Sequence, residues 1–400
     1  MAALMAASLT ACGGSDSAST TAAAAGESKA EGESAAAGES SAAADGAVFK
    51  IGGIGPVTGG AAVYGLAVQH GAEIAVEEIN AAGGINGYQI EFKFQDDEAD
   101  AEKSVNAYNA LKDWGAQIID GSTTSGACIA VTDKTKEDNM FQITPSGSAV
   151  ECVQYDNNFR VCFSNPNQGL ASAQYIGENG LAEKIAVIYD SSDVYSSGIY
   201  EKFVKEAENQ PFEVVAAEAF TADNKTDFSV QLQKAKDAGA DMVFLPIYYQ
   251  ESALILTQAA AMGYAPKWFS CDGMDGILGG VDNFDVSLTE GVMLLTPFAA
   301  DATDDLTQSF VTKYKEKYGE TPNQFAADSY DAIYVIKAAI EKSGVTPDMS
   351  VSDICDGMKA AMTEITVDGL TGNGMTWTAD GEANKAPKAV VIENGAYKAM

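Results

Sequence analysis

From residue 48 onward, short apolar runs alternate with longer amphipathic ones. "VFKIGGI" reads as a strand. In "VQHGAEIAVEEINAAGG" the apolar positions Ala72, Ala75, Val76 and Ile79 recur at helical spacing, and Gly83 lies near the helix end. "YQIEFKFQ" alternates, with Ile90, Phe92 and Phe94 on one side, and "AEKSVNAYNALKDW" is helical again. "AQIID", a helix over 127–138 and "MFQIT" continue the series. The rhythm restarts with the strands "KIAVIY", "FEVVAAEAF", "DMVFLPI" and "KWFS", separated by helices near 197–209, 226–239 and 250–263. Helices near 304–318, 324–343 and 351–363 follow, and "KAVVIE" is a last strand. Strands alternating with helices predict parallel sheets covered on both faces. Two such runs predict an α/β chain of two doubly wound parallel-sheet lobes.

Ligands of open parallel sheets bind beyond the carboxyl ends of the strands. That directs attention to the loops 54–65, 121–127, 145–149, 190–197, 246–250 and 271–276. The first, "IGGIGPVTGGAAVYG", begins like a dinucleotide-binding turn, with Gly53 and Gly55 in place. The third glycine is Thr58, and Pro56 removes a backbone N–H that a phosphate would use. The acids about 20 residues on (Glu73, Glu77, Glu78) lie in a helical stretch rather than at a strand end. The cofactor reading is weak, and no cofactor is expected.

At 400 residues and 46% apolar, the chain can bury a large core. Its net charge is −33. Residues 13–47 hold six acids and one Lys, so −28 of it belongs to the folded part. A surface so acidic repels nucleic acid and anionic headgroups, which sets nucleic-acid binding aside. Residues 13–47 are Ala, Ser, Gly and Glu with no large apolar side chain, a composition that forms a flexible tether. The preceding "MAALMAASLTAC" is too short to span a bilayer and reads as the end of a secretory signal. "LTAC" resembles a bacterial lipobox, which implies lipidation at Cys12, although no Lys or Arg precedes it.

The remaining cysteines are Cys128, Cys152, Cys162, Cys271 and Cys355, an odd number. Cys152 and Cys162 flank a polar stretch; either they close a hairpin as a disulfide or they are two buried thiols. No spacing suits a zinc site. The single histidine, His70, reads as a solvated helix residue, which leaves a Ser–His–Asp or Cys–His unit without a base. The acidic run Asp96, Asp97, Glu98 and Asp100 lacks EF-hand spacing and reads as a solvated loop. No metal site is expected. The strand-end loops instead carry hydroxyls and aromatics: Ser125, Ser146, Ser148, Tyr195 and Tyr248, with Asp272 in "SCDGMDG". Hydroxyls and a helix N-terminus suit a carboxylate, an acid suits an ammonium, and tyrosines suit an apolar body. Together they describe a zwitterionic amino acid.

The stretches "GPVTGGAAVYG", "GAEIAVEEINAAGGINGYQIEF", "DDEAD", "ITPSGSAV", "FRVCFSNPNQG" and "DSYDAIY" carry a likeness that runs from about residue 48 to the C-terminus. The chain resembles the leucine/isoleucine/valine-binding protein family, type 1 periplasmic-binding-fold solute receptors of ABC importers. The resemblance implies a three-segment hinge near 168, 298 and 386. Lobe 1 is then 48–167 plus 298–386, and lobe 2 is 168–297 plus 387–400, behind the leader 1–12 and tether 13–47. It implies Ser125 at the ligand carboxylate and Ser148, where the family has Thr, serving it through hydroxyl and N–H. It implies the Ser146 carbonyl and Asp272 at the ammonium, with Asp275 a nearby rival. Tyr64, Tyr195, Tyr248 and Phe325 fall on aromatic pocket positions. Thr123 and Thr124 replace more apolar residues, so the ligand need not be strictly branched-chain. The expected protein is a monomeric, extracytoplasmic, lipid-anchored receptor that catalyses nothing and docks on ABC permease subunits. A ligand sensor for a signalling receptor, or a two-lobed enzyme, are the alternatives.

Overall fold

The computed structural model describes residues 46–400. The leader, Cys12 and nearly all of the expected tether lie outside the described residues. The first sheet is built from β1 (Val48–Gly55), α1 (Ala62–Ala81), β2 (Gln89–Asp96), α2 (Ala101–Trp114), β3 (Ile118–Asp120), α3 (Ser125–Asp138), β4 (Phe141–Thr144) and β5 (Asn158–Arg160). Its five strands run parallel in the order β2-β1-β3-β4-β5. α2 starts where the Asp100 carboxylate accepts from the Lys103 amide (2.9 Å), and ends at Gly115, whose φ of 94° a side chain would resist.

The chain then passes to a second layer: α4 (Asn165–Glu178), β6 (Lys184–Asp190), α5 (Val194–Ala207), β7 (Glu213–Phe220), α6 (Ser229–Asp237), β8 (Met242–Leu245), α7 (Tyr249–Ala261), β9 (Lys267–Ser270) and β10 (Met293–Thr296). It returns to cover the first sheet with α8 (Asp305–Tyr318), α9 (Gln324–Ser343) and α10 (Val351–Met362). After the small ladder of β11 (Thr376–Trp377) and β12 (Ala383–Asn384), it crosses again to β13 (Lys388–Glu393) and β14 (Ala396–Ala399). The second sheet has the order β14-β13-β10-β9-β8-β6-β7.

Two features depart from the sequence reading. β13 runs antiparallel to β10, and an edge strand, β14, pairs antiparallel with it. β13 and β14 are joined by a two-residue turn, Asn394 and Gly395, and so pair as a hairpin, while β13 enters beside β10 from the other lobe rather than by a βαβ crossover.

Both faces of each sheet are buried, and alternation along the strands decides which side chain goes where. Phe49, Ile51 and Ile118 pack with α1 and α9, while Ile54 and Ile119 pack with α2 and α3. In the second sheet Ala186, Ile188, Val243 and Leu245 meet α6 and α7. Ile185, Val187, Met242 and Phe244 meet α4 and α5. The result is an α/β fold of two parallel-sheet lobes, with strand carboxyl ends and helix amino ends gathered along their seam.

α1 begins six residues earlier than its apolar period announces, so Tyr64 stands on its first turn and not on a loop. His70 is not a solvated residue. It is half-buried, stacked on Tyr318 (ring centroids 3.6 Å apart, 9° between planes), with Nδ1 3.2 Å from the Tyr314 hydroxyl. Burial lowers its pKa. The acidic run is not a plain solvated loop either. Asp97 is fully buried, and Asp96 accepts from the Val57 amide (2.9 Å) and the Thr58 hydroxyl (2.5 Å), which pins the Gly-rich loop. All five described cysteines are free and buried, so Cys152 and Cys162 form no disulfide; the reading as two buried thiols holds.

Candidate functional site

Two walls face each other across the seam. The first is made by the ends of β3 and β4. Thr124, in extended backbone (φ −93°, ψ 150°), caps α3 without a side-chain bond, which leaves the first-turn amides of a 14-residue helix directed at the seam. Ser125 Oγ accepts from the amides of Ser148 and Ala149 (3.1 Å each). Ser146 Oγ donates to the Thr123 carbonyl (2.6 Å), and Gly147 N–H donates to Thr144 Oγ1 (2.7 Å). Beneath this loop lies the fully buried Arg160. Its guanidinium donates to the carbonyls of Gly147 (3.2 Å) and Ala149 (2.8 Å) and pairs with Glu382 (3.4 Å). A buried cation with that many acceptors fixes the loop's backbone.

The second wall comes from the ends of β6, β8 and β9. Tyr195 hydroxyl donates to Asp272 Oδ1 (2.6 Å), and the Gln168 amide donates to Oδ2 (2.8 Å). The Gly273 amide donates to the Tyr195 oxygen (2.9 Å). A Cβ on Gly273 would stand 2.5 Å from that oxygen, so only glycine lets the tyrosine seat there. Burial raises the Asp272 pKa from 3.8 to about 6 against these donors. Tyr248 stacks on Tyr195 with centroids 5.0 Å apart.

Tyr64 joins the two walls. From α1 its hydroxyl donates to the Gly273 carbonyl and accepts from the Tyr249 amide (3.2 Å), and its ring lies 4.4 Å from that of Phe325. A narrow cavity of about 20 Å³ is lined by Tyr64, Thr123, Thr124, Ser125, Ser146, Tyr195, Tyr248, Asp272, Gly273 and Phe325. Of the eight ligand positions expected from sequence, Ser148 alone stands outside this lining. It is fully buried behind Ser125, to which it gives its N–H. Asp275 is turned away. It accepts from the Gln324 amide (2.8 Å) at the start of α9.

The sequence reading missed Arg160, Gln168 and the role of Thr124. The Thr124 hydroxyl is buried at the seam with no partner among the described residues, and it lines the space. "FRVCFSNPNQG" contained Arg160 and Gln168, but their partners are 11 and 104 residues away in sequence. Among the described residues, no three His, Cys, Asp or Glu converge to hold a metal.

Two parallel-sheet lobes with a narrow, polar- and aromatic-lined cavity at their seam are the architecture of a two-lobed solute receptor. The chain belongs to the periplasmic binding protein family, whose model matches residues 48–396. It is 31% identical over 283 residues to a Leu/Ile/Val-binding protein homolog of Brucella melitensis, covering 70% of this chain and 75% of the relative. It is 29% identical over 281 residues to the leucine-, isoleucine-, valine-, threonine- and alanine-binding protein of Pseudomonas aeruginosa, covering 68% and 73%. Among solved structures it superposes on the branched-chain amino acid transporter substrate binding protein LivJ of Streptococcus pneumoniae, determined with isoleucine. There the TM-score is 0.79 and the identity 28%, over 88% of this chain and 99% of the other. A leucine binding protein of Thermotoga maritima matches with a TM-score of 0.77 at 27% identity, over 88% and 98%.

Proposed function

We propose that this chain is the extracytoplasmic solute-binding component of an ABC importer and that it captures a free amino acid between its lobes. One observation carries the reading. Ser125 and the open α3 amides stand across a narrow, aromatic-walled cavity from the buried carboxylate of Asp272. The first set suits an α-carboxylate and the second an ammonium. Tyr64, Tyr248 and Phe325 then surround a small or apolar side chain, with the free Thr124 hydroxyl at one edge. The Ser146 carbonyl adds an acceptor for the ammonium, and Ser148 supports Ser125 from behind. The lobes close about the chain's three passages between sheets, near 168, 298 and 386, and the closed form is what a permease engages. No reaction follows capture. The only histidine is stacked between α1 and α8, away from the lining residues, and the family is one of binding proteins.

Lipidation at Cys12, with residues 13–47 as tether, holds the receptor at the membrane. Cys12→Ser behind a complete export leader should leave the protein released or its signal uncleaved. Membrane-bound mature protein in that variant would disprove the anchor.

The ligand assignment is tested by a thermal-shift screen over the amino acids. Ligand at about 100 times Kd should stabilise the protein by roughly 2.7 kcal/mol. A shift with a sugar, polyamine or nucleotide, and none with any amino acid, would overturn it.

A further inference from the structure

Directly behind the Ser125 wall lie two thiols that the ligand reading does not use. Cys128 stands on the first turns of α3, its amide bonded to the Thr124 carbonyl (2.8 Å). Cys152 stands on the single 3-10 turn, Val150–Val153, that follows the 145–149 loop. The two pack with Ala149 into one small cluster, both with no exposed surface. Cys152 Sγ also donates to the Ser125 carbonyl (3.7 Å), and the Gln142 amide donates to Cys128 Sγ (3.6 Å). Cys162, the partner that sequence spacing favours for Cys152, is not part of that cluster.

We infer that Cys128 and Cys152 are a redox pair, reduced in the structure described here, that closes into a disulfide in an oxidising compartment and ties the 145–153 segment to α3 beneath Ser125. The geometry supplies packed sulfurs on two different elements, so a bond between them joins the loop that Ser125 holds to the helix on which Ser125 stands. The electrostatics favour Cys128 as the attacking sulfur. The neighbouring Cys152, Thr144 and the buried Arg160 lower the Cys128 pKa, while burial raises that of Cys152. With a small-molecule disulfide such as oxidised glutathione as oxidant, the Cys128 thiolate attacks one glutathione sulfur and expels the other as thiolate. Cys152 then gives its proton to that leaving thiolate and attacks the Cys128 sulfur, releasing the second glutathione. Two protein thiols are oxidised and one glutathione disulfide is reduced to two thiols. The Ser125 carbonyl loses its S–H donor, and the loop gains a covalent link to α3.

The test uses the full chain. Reduced protein is unfolded in urea, so that burial does not limit access, and refolded in a glutathione redox buffer. The monomer is isolated, free thiols are alkylated in urea so that buried ones react, and peptides are mapped by mass spectrometry. The expected map links Cys128 to Cys152 and leaves Cys162, Cys271 and Cys355 alkylated, with Cys12 alkylated or lipidated. The link should persist in Cys162→Ala and vanish in Cys152→Ala, and dithiothreitol should lower the melting temperature of the linked protein. Alkylation of both Cys128 and Cys152 in the refolded wild-type protein, or a Cys152–Cys162 link in its place, would overturn the inference. The wild-type map decides it even if a variant fails to fold.

Discussion

Asp272 is the residue on which the charge logic of the site turns. It is buried, its two oxygens are already served by Tyr195 and Gln168, and its pKa is raised to about 6 mainly by burial. A carboxylate held in that way is stabilised by an incoming ammonium more than a solvated one would be. Asp272→Asn keeps shape and both neighbours while removing the charge. Calorimetric titration should show affinity reduced by about 2–5 kcal/mol, with the unliganded fold little changed. Asp275→Asn should cost far less, because Asp275 serves the first amide of α9 and not the lining; an equal or larger loss there would move the ammonium away from Asp272. Ser125→Ala is a different kind of change. It strands two buried amides, those of Ser148 and Ala149, at about 1–3 kcal/mol for each unsatisfied group. Both melting temperature and affinity should fall, and loss of affinity alone would mean that Ser125 only touches ligand. Seven of the eight expected positions line the cavity; they were accessible from sequence because strand ends and hydroxyl-rich loops are local features, while their proposed roles come from the family resemblance. Arg160 and Gln168 were not, because each acts on a partner that only the fold brings near.

Among the elements, α1 matters most, since it brings Tyr64 to the second lobe while packing on α9. That packing is close at Gly71, where a Cβ would collide with the Ala326 carbonyl. Gly71→Ala should push the helices apart and cost about 1–3 kcal/mol of stability, read as a lowered denaturation midpoint. Because Tyr64 travels with α1, ligand affinity should fall as well; an unchanged midpoint would show that the helices tolerate the methyl. The apolar period of α1 was legible only from residue 68. Its first turn (Ala62–Gly65) is small residues and one tyrosine, whose burial against Phe325 and Tyr249 has no periodic signature. The strand β14 was invisible for a related reason: "AYKA" is too short and polar to announce itself, and pairing with β13 makes it a strand.

At the scale of the whole molecule, the folded part carries −28 and also buries several carboxyl groups whose pKa values rise. Burial lifts Asp120 and Asp328 to about 7, and Asp97 and Asp193 to about 6, alongside Asp272. Each has a folded-state value above its unfolded value of 3.8, so between about pH 4 and 7 the native state binds more protons than the unfolded chain. Stability of the unliganded protein must then fall as pH rises through that window. The surface repulsion acts in the same direction. If Asp272 receives the ammonium as proposed, ligand affinity should move oppositely, because that pairing needs Asp272 ionised; below about pH 6 the Kd should rise by roughly tenfold per unit. Melting curves and titrations at pH 5 and 8 check both signs. A protein that melts higher at pH 8 without ligand would contradict the burial argument, and a Kd independent of pH would contradict the Asp272 assignment.

The sequence by itself determined the layered α/β fold, the number of lobes and the loops that line the seam. Hydrophobic periodicity and strand-end chemistry are written locally, within runs of ten or twenty residues. The tertiary structure decided which acid faces the seam, which serine stands behind the wall, and that Asp97 and His70 are drawn inward. It also packed Cys152 into one cluster with Cys128 that does not include Cys162. Those choices follow from burial and from contacts between segments tens to hundreds of residues apart, where desolvation and hydrogen-bond geometry select among side chains that look equivalent along the chain.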